Sequence, residues 1–310
     1  MASSGAVIML GKPVADAIEA RVKAEVAALH AAHGVVPTLA IVLVGDEGPS
    51  ARYVAKKLEA AARLGMRAEV TRLPSSIEAE ALRDAVAALD ADAKYHGVLV
   101  QLPLPARIED HDAATTNKFD VFDAISAPKD VDGVGRDAIA ALYRAQPERM
   151  IQMPGTALAV RRMMAFYGVE TTGKMAVVVG RNDITAKPIL HLLGGRLCNA
   201  AAIWCHRHVA PEDQRRLIAQ ADILVTAVGA RGYRITADML KPGCAVFDVA
   251  TRVDEDGKMH GDVDPAAKDV AAFVTPVPRG VGPVTVAALC ENLARAAAFA
   301  VGVGKAGYQL

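Results

Sequence analysis

The stretch TLAIVLVG, Thr38 to Gly45, is a β-rich apolar run that ends in a glycine, and its flanks decide the fold. Before it, KPVADAIEARVKAEVAALHAA (Lys12 to Ala32) has helical spacing. After it, PSARYVAKKLEAAARLG predicts a helix opened by Pro49 and Ser50 and closed by Gly65. MRAEVTRL (Met66 to Leu73) then alternates like a strand. SIEAEALRDAVAALDA (Ser76 to Ala91) predicts a helix with Ser75 or Ser76 as its cap and acids in its first turn. GVLVQ (Gly97 to Gln101) is the next strand. A β-α-β-α-β order of this kind implies a parallel sheet with right-handed crossovers.

Further along, DVDGVG precedes a helix, RDAIAALYRA (Arg136 to Ala145), and then comes the irregular segment ERMIQMPG (Glu148 to Gly155). A domain boundary is expected there, with residues 1–148 in the first domain and 149–282 in the second. The helix TALAVRRMMAFYG opens a second alternating run, whose strands are KMAVVVG, AAIWCH, DILVTAVG and CAVFDVA. Their near-continuous apolar character fits a sheet covered on both faces. The fold class expected is therefore α/β: two domains, each a mainly parallel sheet flanked by helices, the second Rossmann-like. A last helix, VTVAALCENLARAAAFAV, is expected to begin after Pro283.

At 310 residues the chain is long enough for two domains. Lys+Arg and Asp+Glu balance at 35 each, which argues against a general nucleic-acid or acidic-membrane surface. No apolar run reaches the roughly 18 residues that a membrane helix needs. The N-terminal stretch has no basic n-region, so a signal peptide is not expected and the cytoplasm is the default. None of the four cysteines forms a CxxC pair. WCHRH (Trp204 to His208) packs Cys205, His206 and His208 together, but no second ligand pair stands at zinc spacing, and no metal is expected.

Several motifs bear on chemistry. In GVLVQLPLP (Gly97 to Pro105), an uncharged amide ends a core strand and two prolines stiffen the chain just beyond it, which suggests that Gln101 is held out to touch something. Tyr53 and Lys57 lie four apart on one helix and share a face, while Lys56 sits about a hundred degrees from Lys57. KDVDG (Lys129 to Gly133) is a turn with two carboxylates that fails the spacing of a calcium loop. In VVVGRNDITAKP (Val177 to Pro188), a strand ends at Gly180, a polar turn comes next, and a helix begins near Ala186. Backbone N–H groups at such a start favour a phosphate, although the turn lacks the G-x-G-x-x-G pattern. TAVGA gives another strand ending in glycine, Gly229. Arg181 and Arg207 end neighbouring strands and could hold the 2′-phosphate of NADP.

In this order, GDEGPSARYVAKK, GVLVQLPLP, PKDVDG, VVVGRNDITAKP, GDVD and VTPVPRGVGPVT resemble the bifunctional methylenetetrahydrofolate dehydrogenase/cyclohydrolase family, over about residues 6–300. The resemblance implies oxidation of 5,10-methylenetetrahydrofolate with NADP (NAD being possible), then hydrolysis of the methenyl product to 10-formyltetrahydrofolate. It implies that Tyr53 lies against the folate rings, that Lys57 is the catalytic lysine, that Gln101 assists it and that Asp132 pairs with the pterin. Gly282 and Pro283 would line the substrate site. Gly180, Arg181, Asn182, Thr185, Arg207 and Gly229 would bind the cofactor. The active site would lie in a cleft between the domains, the C-terminal helix (283–310) would return to pack on the first domain, and the protein would be a homodimer.

The folate side keeps the family pattern and the cofactor side departs from it. The usual P-C-T-P-x-G is MIQMPG (Met150 to Gly155). Asn182 stands for a serine, Thr185 for a valine, Ala186 for a glycine, Arg207 for a serine and Arg279 for a glycine. Ala186 adds a Cβ where a backbone usually approaches the cofactor, and Arg279 adds bulk and charge. The alternatives are a specialised paralogue with one of the two activities or a modified one-carbon substrate, and a non-catalytic folate-binding protein.

Overall fold

The structure, a computed structural model, describes residues 5–45, 48–109 and 116–308. The elements of the first half are β1 (Val7–Ile8), α1 (Gly11–His33), β2 (Thr38–Val44), α2 (Gly48–Arg63), β3 (Arg67–Leu73), α3 (Ala79–Ala91) and β4 (Gly97–Val100). Three short helices come next, α4 (Ala106–Glu109), α5 (Lys118–Phe122) and α6 (Arg136–Tyr143). The second half runs α7 (Gly155–Phe166), β5 (Met175–Val179), α8 (Ala186–Gly194), β6 (Ala201–Cys205), α9 (Pro211–Ile218), β7 (Ile223–Thr226) and β8 (Ala245–Asp248). It closes with the hairpin β9 (Arg252–Val253) and β10 (Met259–His260), then β11 (Phe273–Val274) and α10 (Val281–Ala300).

Strand β2 is buried along its whole length, and its two faces serve two cores. Leu39, Ile41 and Leu43 point into the cluster that contains Leu289 and Leu293 of α10. Ala40, Val42 and Val44 point into the cluster that contains Leu82 and Val86 of α3. Each large side chain buried in this way contributes roughly 1.5–3 kcal/mol, which is why a run without alternation is stable only in the middle of a covered sheet. The sheet is parallel, in the order β3-β2-β4. Edge strand β3 alternates in burial as its sequence alternates.

The second sheet has the order β1-β11-β8-β7-β5-β6 and is parallel throughout. The chain leaves β5 for β6 on one side and returns to β7 on the other, so the switch point lies at the carboxyl ends of β5 and β7. Strand β1 joins this sheet by pairing with β11, although the chain then passes at once into α1. No helix among the described residues is long and apolar enough to cross a membrane.

Two boundaries differ from expectation. Helix α3 starts at Ala79 with Glu78 as its N-cap and no side-chain cap bond. Ser75 and Ser76 instead form a turn closed by Ile77 N–H on Pro74 O. Helix α10 starts at Val281, so Gly282 and Pro283 sit inside its first turn, where the missing proline N–H costs nothing. It ends at Ala300, and the chain beyond leaves the helix. The side chains of Pro49 and Ser50 lie outside the described residues.

Helix α10 touches both halves. The carboxylate of Glu291, 2% exposed, accepts from Arg21 of α1 and Arg162 of α7. Beside it, Asn292 is fully buried, and its Nδ2 donates to Val131 O at 2.8 Å and to Met153 O at 2.9 Å. Its Oδ1 accepts from the Tyr308 hydroxyl at 2.5 Å, and that hydroxyl accepts from Met153 N–H at 3.0 Å. Gln152 donates to Pro128 O at 2.9 Å within the same cluster.

Replacing Asn292 by alanine strands two buried carbonyls and leaves the Tyr308 hydroxyl only the longer 3.4 Å bond to Gln152 Oε1. The Asn292→Ala variant is expected to lose about 2–4 kcal/mol of stability, read from the midpoint of urea unfolding. A midpoint unchanged from wild type would show that the junction is held by packing alone.

Candidate functional site

Lys57 projects from the middle of α2 and Gln101 stands one residue beyond β4. Gln101 N–H still donates to Val42 O at 2.8 Å, so the sheet ladder fixes its backbone. The side chain is 8% exposed. Its Nε2 donates to Leu102 O at 2.7 Å, which leaves Oε1 to accept from Lys57 Nζ at 3.0 Å. Burial lowers the Lys57 pKa from its ordinary value, and the charge of Asp132 pulls the other way. The neutral amide satisfies the amine without adding a second charge that would raise its pKa. Tyr53, one turn earlier on α2, is 40% exposed, and Lys56 Nζ lies 5.8 Å from its ring centroid. Lys56 therefore serves the tyrosine while Lys57 turns to the amide.

Asp132 sits on a turn built by Asp130. The Asp130 carboxylate is 2% exposed and accepts from the backbone N–H groups of Gly133 (3.0 Å), Val134 (3.2 Å) and Gly135 (2.9 Å). Burial raises the pKa of Asp130 to about 7, against the pull of those three donors. Gly133 has φ +67°, and a Cβ there would stand 2.5 Å from the Met153 carbonyl carbon and the Pro154 nitrogen. Asp132 O accepts from Gly155 N–H at 3.1 Å, and a Cβ on Gly155 would stand 3.4 Å from Asp132 Oδ1. The turn is thus pressed against the start of α7. Gly282 and Pro283 are exposed on the first turn of α10, and no described contact links them to Lys57. The roles of Asp130, Gln152, Asn292 and Tyr308 were not foreseen from the sequence; DVDGVG contained the signal for the first of them, two carboxylates before a glycine pair.

On the second sheet, Gly180 follows β5 with φ +128°. Its N–H donates to Cys205 O at 2.9 Å, and a Cβ there would meet Ala227 O at 2.7 Å. Only glycine lets the chain pass so close between its neighbours. The next amides behave differently from expectation. Asn182 Oδ1 accepts from Ile184 N–H at 2.9 Å and from Thr185 N–H at 3.2 Å, so two amides before α8 are already capped. Gly229, with φ +64°, donates its N–H to Asp262 Oδ1 at 3.0 Å. Asp262 also accepts from Val228 N–H and Thr226 Oγ1. Its motif, GDVD, thus supports the β7 turn from behind. Ala186 is fully buried in the core, so its methyl does not project into the open side of the turn, contrary to the concern raised by the sequence. Arg181, Asn182 and Arg207 are exposed around this edge. Arg279 holds φ +83°, a conformation that costs a non-glycine residue roughly 1–2 kcal/mol. Among the described residues no group of three or more His, Cys, Asp or Glu side chains could hold a metal ion.

This geometry coincides with matches to known proteins. The family model for the catalytic domain of tetrahydrofolate dehydrogenase/cyclohydrolase matches residues 9–132, and that for its NAD(P)-binding domain matches residues 154–301. The bifunctional protein FolD of Lactococcus lactis subsp. lactis is 39% identical over 288 residues, covering 93% of this chain and 95% of that protein. The FolD of Polaromonas naphthalenivorans is 40% identical over 286 residues, covering 91% and 96%. Among solved structures, the Trypanosoma brucei dehydrogenase-cyclohydrolase, complexed with NADP cofactor and inhibitor, has a TM-score of 0.86 at 32% identity, covering 96% of this chain and 99% of that one. The Campylobacter jejuni bifunctional enzyme has a TM-score of 0.84 at 32% identity, covering 94% and 98%.

The raised pKa of Asp130 carries a sign. The folded protein keeps a proton that the unfolded chain releases near pH 4, so this group's contribution to stability falls as pH rises toward about 7. Urea titrations across that range are expected to show wild type losing stability relative to Asp130→Asn. A difference that stays constant with pH would refute this.

Proposed function

The chain belongs to the tetrahydrofolate dehydrogenase/cyclohydrolase family, and we propose that its two activities meet at Lys57, Gln101 and Asp132. The protein is an enzyme of folate one-carbon interconversion. It oxidises 5,10-methylenetetrahydrofolate to the methenyl compound with NADP and hydrolyses that product to 10-formyltetrahydrofolate. The observation that carries the residue roles is the 3.0 Å bond from Lys57 to an uncharged acceptor, with Asp132 in electrostatic reach.

In this reading the pterin lies beside Tyr53, and Asp132 accepts from its adjacent N–H and NH₂ groups. The methenyl carbon stands close to Lys57. Neutral Lys57 takes a proton as water attacks that carbon and the new C–O bond forms. The resulting ammonium gives that proton to N5 as the C–N5 bond breaks, while the hydroxyl on the same carbon releases its proton to solvent and becomes the C=O of the formyl group left on N10. Gln101 holds the lysine in place through both proton transfers without adding a charge. Gly282 and Pro283 complete the folate side of the cleft between the two halves.

The cofactor fits the second sheet because Gly180 gives close backbone approach at the switch point, where nucleotides bind in such sheets. Arg181, Asn182, Thr185, Arg207 and Gly229 surround that position, with the arginines supplying charge for the 2′-phosphate. The amides of Thr185 and Gly229 are engaged within the protein, so their part is to shape the turns. Bound there, NADP supplies the hydride acceptor; the protein's part is to hold the two reacting carbons together. We read this sheet as Rossmann-like. On the resemblance of the whole chain, we also propose a homodimer working in the cytoplasm, with residues 1–148 (apart from β1, which pairs into the second sheet) and 149–282 as the two domains and α10 returning to the first.

Steady-state assays with methylenetetrahydrofolate and each nicotinamide in turn test the overall reading. In them, Lys57→Met is expected to lower cyclohydrolase turnover at least about 100-fold; an unchanged rate would remove the assigned role. Gln101→Glu places a negative charge on the lysine. It is expected to shift the ascending limb of the cyclohydrolase pH–rate profile to higher pH by about one unit or more, and a shift to lower pH would contradict the arrangement.

A further inference from the structure

The chain has a single tryptophan, Trp204, and it stands at the cofactor edge of the second sheet. Its indole Nε1 donates to Gly180 O at 2.6 Å. The ring is 39% exposed, with Lys187 Nζ 5.9 Å from it and the His206 ring edge-on at 5.7 Å. The carbonyl it holds belongs to the residue that the dinucleotide turn depends on most. Gly180 N–H is tied to Cys205 O on the same neighbouring strand, so both polar groups of this glycine are bound by β6.

The consequence lies in the next amide. In a trans peptide the C=O of one residue and the N–H of the next are antiparallel in one plane. Holding Gly180 O against the indole therefore fixes the direction of Arg181 N–H. Neither Arg181 N–H nor Asn182 N–H has an acceptor among the described residues. The two amides nearest α8 have been taken by Asn182 Oδ1, which leaves the Arg181 and Asn182 amides as donors next to Gly180.

We propose that Trp204 is a positioning residue for NADP: its indole N–H fixes the Gly180 peptide so that the Arg181 amide is directed at a cofactor phosphate. This rests on the functional reading above and adds to it a residue outside the motifs that carry the family resemblance. A tryptophan at this place also links cofactor binding to an optical signal, because the indole lies beside the bound phosphate's donors.

Two measurements on the full chain test the proposal. Trp204→Phe keeps a smaller aromatic ring beside Lys187 and removes the donor. It is expected to raise the dehydrogenase KM for NADP about five- to tenfold with kcat within about twofold, and to leave hydrolysis of methenyltetrahydrofolate, assayed without nicotinamide, within about twofold of wild type. A parallel fall in both reactions would mean a merely structural role, and an unchanged KM for NADP would mean none; either overturns the proposal. NADP titrated into wild type should change the emission of the sole tryptophan saturably. No change at a saturating concentration would overturn the proposal even if the variant failed to fold. A wild type with no NADP-dependent dehydrogenase activity would sink the functional reading and this inference together, whereas an active wild type with an indifferent Trp204→Phe variant would sink the inference alone.

Discussion

Two hydrogen bonds from one buried amide hold the site together. Asn292 Nδ2 reaches Val131 O, next to Asp132, and Met153 O, next to the start of α7. A buried carbonyl left without a donor costs about 1–3 kcal/mol, so these two loops are stable in this arrangement only while α10 stays seated. The seat is made by small residues along α10, among them Ala287, Ala288 and Ala294, all buried. The ion cluster of Glu291 with Arg21 and Arg162 adds specificity rather than much net stability, because desolvating three charges offsets most of their attraction. The same helix carries Leu289 and Leu293 into the core under β2, whose neighbour β4 leads into Gln101. The Asp132 turn, Gln101 and the junction of the two halves are therefore one packed unit.

Within that unit, charge is rationed by position. Lys57 is given an uncharged partner at contact distance and a carboxylate only at longer range. Close pairing with a carboxylate would shift a lysine toward the permanently charged form, and such an amine cannot accept a proton from water. Asp130, two residues from Asp132, has the opposite task. It is buried, and three amides converge on it to hold a turn. Two carboxylates so close in sequence are thus separated by environment: Asp130 is spent on the turn, and Asp132 is the one to which the proposed function gives the pterin.

The features legible in the sequence were those that depend on local order. The β-α-β alternation, the apolar strand ending at Gly45 and the stiffened exit of Gln101 are all set by neighbours within a few residues. The position of Ser75 and Ser76 was not, because a serine before a helical pattern caps it only if the helix begins there, and here the helix begins at Ala79. Strand β1, two residues long, has no periodicity to detect and exists only because β11 offers an edge. The Asn292 bonds join residues 139 and 161 positions apart, and no spacing rule reaches that far. The competition for amides at Asn182 and Asp262 was equally hidden, since a polar residue in a turn is as readily a cap as a ligand.

The departures on the cofactor side take on a different meaning once the geometry is known. Where the family pattern has P-C-T-P-x-G, this chain has MIQMPG, and the loop is held by Gln152, Asn292 and the hydroxyl of Tyr308 instead of by proline stiffness. Where the pattern has a glycine, Ala186 turns its methyl into the core. Where Asn182 replaces a serine, its longer side chain folds back on the turn and stiffens it from within. In each case the letters change while the backbone is held by another means. Gly180 is the position where no such exchange is open, because any Cβ would collide with Ala227 O. Two glycines of the pattern are replaced, at Ala186 and at Arg279, whereas Gly180 sits where the backbone of a neighbouring strand leaves no room for a Cβ.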